Sequence, residues 1–148
     1  MIYLADTNVL LRVANRSEPL HDTVRTAIRN LRGSGHQMHV ASQNLVEFWN
    51  VMTRPTKNNG FGFSPVETDR FLRIVERVFP IIPDSPATYG EWRKLVVQFG
   101  VSGVQVHDAR LVATMIANGI THILTLNAAD FSRYSQLGIV AVDPSSIP

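Results

Sequence analysis

Apolar and polar positions alternate along the chain in two different rhythms. Short apolar runs at Ile2–Ala5, Met38–Ala41, His122–Leu126 and Ile139–Val142 are too short for helices and read as strands. Between them, apolar residues recur three and four positions apart. That spacing predicts helices over Asn8–Asn15, Pro19–Arg32, Ser42–Arg54, Ser64–Val78, Ser85–Gly100 and Val106–Asn118. Ser42 is the expected cap of its helix and Pro55 the stop. Ser64-Pro65-Val66-Glu67 reads as a capping box with proline at the first helical position. Gly33, Gly35 and Gly119 mark C-terminal stops. Pro80–Pro83 reads as a short edge strand, and Lys57–Phe63 as a loop. Strands alternating with helices predict an α/β sandwich around a mainly parallel sheet. No repeat or long linker divides residues 1–148, so the expectation is a single domain.

In sheets of this kind, ligands bind at the carboxyl ends of the strands. Asp6 follows the first strand directly, a position that serves equally for a helix cap. Asn127 and Asp130 follow the strand ending at Leu126, where an Asx turn with a capped short helix is the bland alternative. On the Ser42 helix the apolar stripe is Leu45, Phe48, Trp49 and Met52. Glu47 shares the polar stripe with Gln43, Asn50 and Arg54, as a solvated glutamate also would. Asp108 opens a helix that is apolar nearly all round, on the side of Leu111, Val112 and Met115. An acid there is costly unless it is paired or binds a cation. Carboxylates converging on one crevice repel each other and are stable as anions around hard cations such as Mg²⁺ or Mn²⁺. A site of that kind suits metal-assisted phosphodiester chemistry.

Charge and composition sharpen this picture. The chain has 14 basic and 12 acidic residues, and lysine occurs only at Lys57 and Lys94. With Asp6, Glu47, Asp108 and Asp130 set apart, the 14 basic residues face 8 remaining acids. An acidic hole in a basic surface is what a nuclease needs, because the surface attracts phosphate and the hole holds the metal. Arg25, Arg29 and Arg32 form one helical stripe and Arg70, Arg73 and Arg77 another, either of which is equally a solvated face. Cysteine is absent, which excludes a disulfide framework, a thiolate nucleophile and a zinc–thiolate site. No apolar run approaches the ~20 residues of a membrane span. The N-terminus meets an acid at Asp6 without a basic region before it, so no signal peptide is expected and a cytoplasmic location is.

Four segments, in order, carry a resemblance. They are Ala5-Asp6-Thr7-Asn8-Val9-Leu10, Ser42 through Val51 with Glu47 inside it, Val106-His107-Asp108-Ala109-Arg110, and Ile123 through Phe131. Over essentially its full length the chain resembles a PIN domain, and within that superfamily the VapC-type ribonuclease toxins of bacterial toxin–antitoxin modules. The resemblance implies a three-layer α/β/α sandwich and a Mg²⁺- or Mn²⁺-dependent endoribonuclease. It implies Asp6 and Asp108 as metal ligands, Glu47 as a third acid, and Thr7, Asn8 and Ser42 as orienting residues. It also implies an RNA substrate, a cognate antitoxin and a homodimer. One position departs from the pattern. The fourth acid of the family is replaced by Asn127, and Asp130, three residues on, is the candidate to compensate. That departure leaves a non-catalytic RNA- or partner-binding module as the alternative. The phenylalanines of Lys57–Phe63 could stack bases or anchor a partner.

Overall fold

A computed structural model describes residues 1–148. Five strands form one sheet: β1 (Ile2–Ala5), β2 (Gln37–Ala41), β3 (Ile81–Ile82), β4 (His122–Leu124) and β5 (Val140–Val142). Their order is β3-β2-β1-β4-β5, and every pairing is parallel. Tyr3 lies beside Met38 on one neighbour and His122 on the other. Six α-helices connect and cover the sheet: α1 (Thr7–Ala14), α2 (His21–Gly33), α3 (Ser42–Thr53), α4 (Pro65–Val78), α5 (Ala87–Gln98) and α6 (Gln105–Ala117).

Side chains of a strand point alternately to its two faces. Tyr3 and Ala5 therefore join Met38 and Val40 in a core shared with Val9, Leu10, Val24, Ile28, Phe48 and Val75, from α1 to α4. Leu4 turns the other way, toward Leu95 of α5 and Leu111, Val112 and Met115 of α6. The result is the expected three-layer sandwich, with four helices on one face and two on the other. From β1 the chain moves out to β2 and β3, then crosses back to β4 on the opposite side of β1. The order reverses between β1 and β4, so a crevice opens at their carboxyl ends, where α/β sheets place their sites.

Local details differ from the sequence expectation in three places. First, β4 stops at Leu124 and not at Leu126, because the Leu126 N–H donates to the Asn8 side chain (3.1 Å). Second, Ala128–Leu137 forms a run of 3₁₀ helix in which Phe131 and Tyr134 are buried. Third, the Lys57–Phe63 loop starts in an exposed 3₁₀ turn (Thr56–Asn58) and folds its Phe61–Phe63 end back onto α3. The N–H groups of Phe61, Gly62 and Phe63 each donate at 2.9 Å to the carbonyls of Val51, Arg54 and Met52, in that order. They satisfy carbonyls that the end of α3 would otherwise leave bare. Phe61 and Phe63 pack on the α1–α4 core, and the ring of Phe63 lies 5.1 Å from that of Phe71. These rings are half-buried against the core, which commits much of their surface to packing within the chain. The close approach depends on Gly60, where a Cβ would fall 1.9 Å from the Arg54 carbonyl oxygen. Only glycine lets two backbone segments meet this closely.

Candidate active site

Asp6 is the first residue past β1 and the N-cap of α1. Its Oδ1 accepts the Thr7 N–H at 2.7 Å, so the helix cap and the site are one residue. Its Oδ2 accepts the Thr125 hydroxyl at 2.8 Å and the Asn8 amide at 3.3 Å. Thr125 is fully buried just beyond β4, and its oxygen also accepts the Asn127 N–H at 3.1 Å. Asn8 completes the clamp between the two strand ends by accepting from Leu126 N–H.

Glu47 reaches the same crevice from α3. The buried stripe of this helix is Asn44, Phe48 and Met52. Leu45 and Trp49 are only half-buried, so the helix is rotated toward Asn44 relative to the expected stripe. Residues three and four apart share a helix face, and this rotation turns Glu47 toward the site and away from bulk solvent. Glu47 Oε2 accepts the Thr7 hydroxyl at 2.8 Å, and Oε1 accepts the Gln43 amide at 3.0 Å. Asn44 fixes the direction of this chain. Its Oδ1 accepts the Ala41 N–H (3.0 Å), which leaves its amide to donate to Thr7 Oγ1 (3.3 Å). The Thr7 proton is thereby directed to Glu47. Ser42 departs from the sequence expectation. Asn44 does the capping, and the Ser42 hydroxyl donates to exposed Asp84 at 2.6 Å, so it orients nothing in the crevice.

Asp108 stands in the first turn of α6. It is half-buried; full burial of the helix begins at its neighbour Ala109. No donor in the protein bonds its carboxylate, and none of the three ion pairs involves it. Burial, and then the negative charges of Asp6, Asp130 and Glu47, push its pKa up to about 6. Burial also raises the pKa of Asp6, against the opposing hydrogen bonds of Thr125 and Thr7; Glu47 and Asp130 add to the rise. The four acids thus share one field. Asp130 is exposed in the 3₁₀ segment and close enough to act on both Asp6 and Asp108. Asn127 is exposed and contributes its backbone, with N–H to Thr125 and carbonyl to the Asp130 N–H at 3.0 Å.

All side-chain donors in the crevice are oxygens and amides, the set that suits a hard divalent cation. No three His, Asp or Glu side chains converge closely enough to share one ion. Mg²⁺ does not need that many, since it commonly takes one or two carboxylates and keeps its waters. The pair Asp6 and Asp108 fits this pattern.

The family model for the PIN domain matches residues 3–137. The chain belongs to the PIN-domain family. Solved structures agree at the level of fold. VapBC2 from Rickettsia felis, bound to a DNA fragment from its promoter, aligns over 97% of this chain and 98% of that one, with a TM-score of 0.71 and 21% identity. Mycobacterium tuberculosis VapC20, a sarcin–ricin loop cleaving toxin, aligns over 96% and 98%, with a TM-score of 0.63 and 18% identity. A toxin–antitoxin complex from Klebsiella pneumoniae aligns over 96% and 97%, with a TM-score of 0.64 and 19% identity. Among curated proteins, none is significantly similar to the chain in sequence.

In this PIN domain the sequence reading missed Gln43, Asn44 and Thr125. Asn44 and Thr125 carry a signal in principle, since each is a polar residue in an apolar helical or strand pattern. Gln43 carries none. Its role is a contact between α3 and α6, where it also donates to the His107 carbonyl (2.8 Å) and accepts from Arg110 (2.9 Å). The arginine stripes separate. Arg25, Arg29 and Arg32 line a cleft of about 410 Å³ with Arg16 and His21, and none of the four crevice acids borders it. Arg70, Arg73 and Arg77 are a solvated face, where Arg73 pairs with Asp69 at 2.9 Å. No helix is long and apolar enough to cross a membrane.

Proposed function

We propose that this PIN domain is a divalent-metal-dependent endoribonuclease, the toxin of a toxin–antitoxin pair, which hydrolyses RNA phosphodiesters with water as the nucleophile. The observation that carries the reading is Asp108. A half-buried carboxylate with no hydrogen-bond donor and no ion pair, under the repulsion of three other acids that neighbouring His107 offsets only in part, is unfavourable as an anion. A bound divalent cation removes that penalty, and Asp6 and Asp108 are the residues to hold it. Asp130 supplies the fourth acid in place of Asn127. When bound, Mg²⁺ or Mn²⁺ supplies Lewis-acid stabilisation of phosphate charge and eases deprotonation of the attacking water.

The protein's own groups do the rest. Thr7 and Gln43 hold one oxygen each of Glu47, so the carboxylate presents its remaining lone pairs in a fixed direction. From there it orients the attacking water and accepts its hydrogen bond. Thr125, Thr7 and Asn8 hold Asp6 rigid, so no reorganisation is needed as charge develops. In-line attack leaves a 5′-phosphate and a 3′-hydroxyl. The surplus of basic residues outside the crevice supports a polyanionic substrate. The likeness to a loop-cleaving toxin and to toxin–antitoxin complexes supports RNA as substrate and an antitoxin as partner.

The test is cleavage of total RNA with Mg²⁺ and with Mn²⁺ by the wild type, Asp6→Asn and Asp108→Asn, with circular dichroism to verify folding. Both variants lose divalent-dependent cleavage while remaining folded. Near-wild-type cleavage by either one overturns the metal assignment. A wild type that binds RNA without cutting it favours the non-catalytic module.

A further inference from the structure

A second cavity, of about 480 Å³, is lined by Ser85, Pro86, Thr88, Tyr89 and Trp92 at the start of α5 and by Arg110 of α6. Its size falls within the usual range of small-molecule sites, about 300–1,000 Å³. We propose that it is a nucleotide subsite, which stacks one base of the single-stranded RNA on Tyr89 and holds the adjoining phosphate with Arg110. This proposal rests on the ribonuclease reading and names where the strand lies next to the acids.

Three features of the cavity carry it. Tyr89 is 67% exposed, so a large aromatic face is kept in water at the rim of a concave site. Its other side meets Trp92, with ring centroids 6.0 Å apart and planes tilted by 35°. That spacing is too small to admit a base between the rings, but it supports Tyr89 from behind and leaves its outer face for stacking. Trp92 is itself immobilised, because its indole N–H donates to the Val106 carbonyl at 2.9 Å.

The second feature is charge. Arg110 is exposed and makes no ion pair; its bond to Gln43 leaves donors of the guanidinium unused. Arginine suits both phosphate and base planes. Two acids adjoin the cavity in sequence, and both are engaged: Asp84 accepts the Ser42 hydroxyl, and Glu91 pairs with Lys94 at 3.5 Å.

The third feature is continuity with the acids. Arg110 bonds Gln43, and Gln43 bonds Glu47. On the other wall, Trp92 bonds the backbone two residues before Asp108. The cavity and the acidic crevice therefore share the first turn of α6 and the start of α3. In the proposed arrangement, a strand whose phosphate reaches the acids continues along this shared wall to the cavity. Base stacking is tolerant of sequence, so the subsite contributes affinity and strand placement more than sequence choice.

Binding of a short single-stranded oligoribonucleotide tests this, measured with Ca²⁺ in place of Mg²⁺. Trp49 and Trp92 are the only tryptophans, so Trp49→Phe leaves Trp92 as sole reporter. The oligoribonucleotide quenches Trp92 fluorescence. Tyr89→Ala weakens binding by about tenfold or more, and Tyr89→Phe restores it, because stacking needs the ring and not the hydroxyl. Arg110→Ala lowers the salt slope of binding by about one unit. In Mg²⁺ the loss for Tyr89→Ala appears in KM, while the metal midpoint stays that of the wild type. Equal Kd for wild type and Tyr89→Ala overturns the subsite. So does quenching by a polyglutamate peptide with none by RNA, which assigns the cavity to a protein partner. Because Kd is read without turnover, a wild type that fails to cleave RNA counts against the ribonuclease reading alone.

Discussion

Asp108→Asn exchanges a carboxylate for a neutral group of the same shape, and in the metal-free protein it raises stability at neutral pH. In the folded chain the pKa of Asp108 is raised from 3.8 to about 6. The folded state therefore holds this proton more tightly than the unfolded chain. Stability falls as pH rises from about 3.8 to about 6, and the loss persists above that window. Two units correspond to about 3 kcal/mol at 1.36 kcal/mol per unit. Asp108 is only half-buried, so solvent screening reduces this to about 1–2 kcal/mol. For a chain of this size that is roughly 3–6 °C in Tm. The assay is thermal unfolding of both proteins in chelator, at about pH 7.5 and about pH 4. Asp108→Asn melts higher at the upper pH, and the two proteins converge at the lower one. Adding Mn²⁺ reverses the ranking, since ligand binding stabilises only the chain that keeps both carboxylates. An unchanged or lowered Tm for Asp108→Asn at the upper pH, without metal, refutes the claim that an uncompensated charge is stored there.

Three further outcomes are expected. Asp130→Asn shifts the metal midpoint to higher concentration, and adding Asn127→Asp restores part of the shift; isothermal titration of both variants reads this, and an unchanged midpoint in Asp130→Asn leaves the site with three acids. RNA binding in Ca²⁺ falls steeply with salt, because phosphate contacts release counterions; a flat response in a filter-binding series assigns the arginines to a protein partner instead. Gly60→Ala destabilises by more than about 3 kcal/mol, because its Cβ meets backbone at 1.9 Å and not a movable side chain; chemical denaturation measures it, and wild-type stability would mean that the Phe61–Phe63 loop is not locked to α3.

Much of this molecule is written in local sequence. The strand runs, the helical spacings, the Ser64–Glu67 cap and the placement of Asp6 just past β1 depend on residues within a few positions of one another. Those are the distances over which backbone preference and periodicity act. The placements of Asp6, Asp108 and Asp130 were legible for the same reason, since strand ends and a helix start are local features, whereas Glu47 in the middle of α3 read equally as a solvated glutamate. The hydrogen-bond partners of these acids were not legible. Thr125 bonds Asp6 across 119 positions, and Gln43 meets Arg110 across 67. No pattern along the chain encodes which strand ends lie side by side. Ser42 shows the converse. As a serine before a helix it reads as a cap, but Asn44 reaches back to Ala41 and leaves the hydroxyl for Asp84. Phe61 and Phe63 read as rings for stacking bases or anchoring a partner, yet the bare carbonyls at the end of α3 draw that end of the loop back onto the chain's own core. Hydrogen-bonding groups with more than one possible partner are assigned only when packing decides which partner is near, and that choice belongs to the tertiary structure.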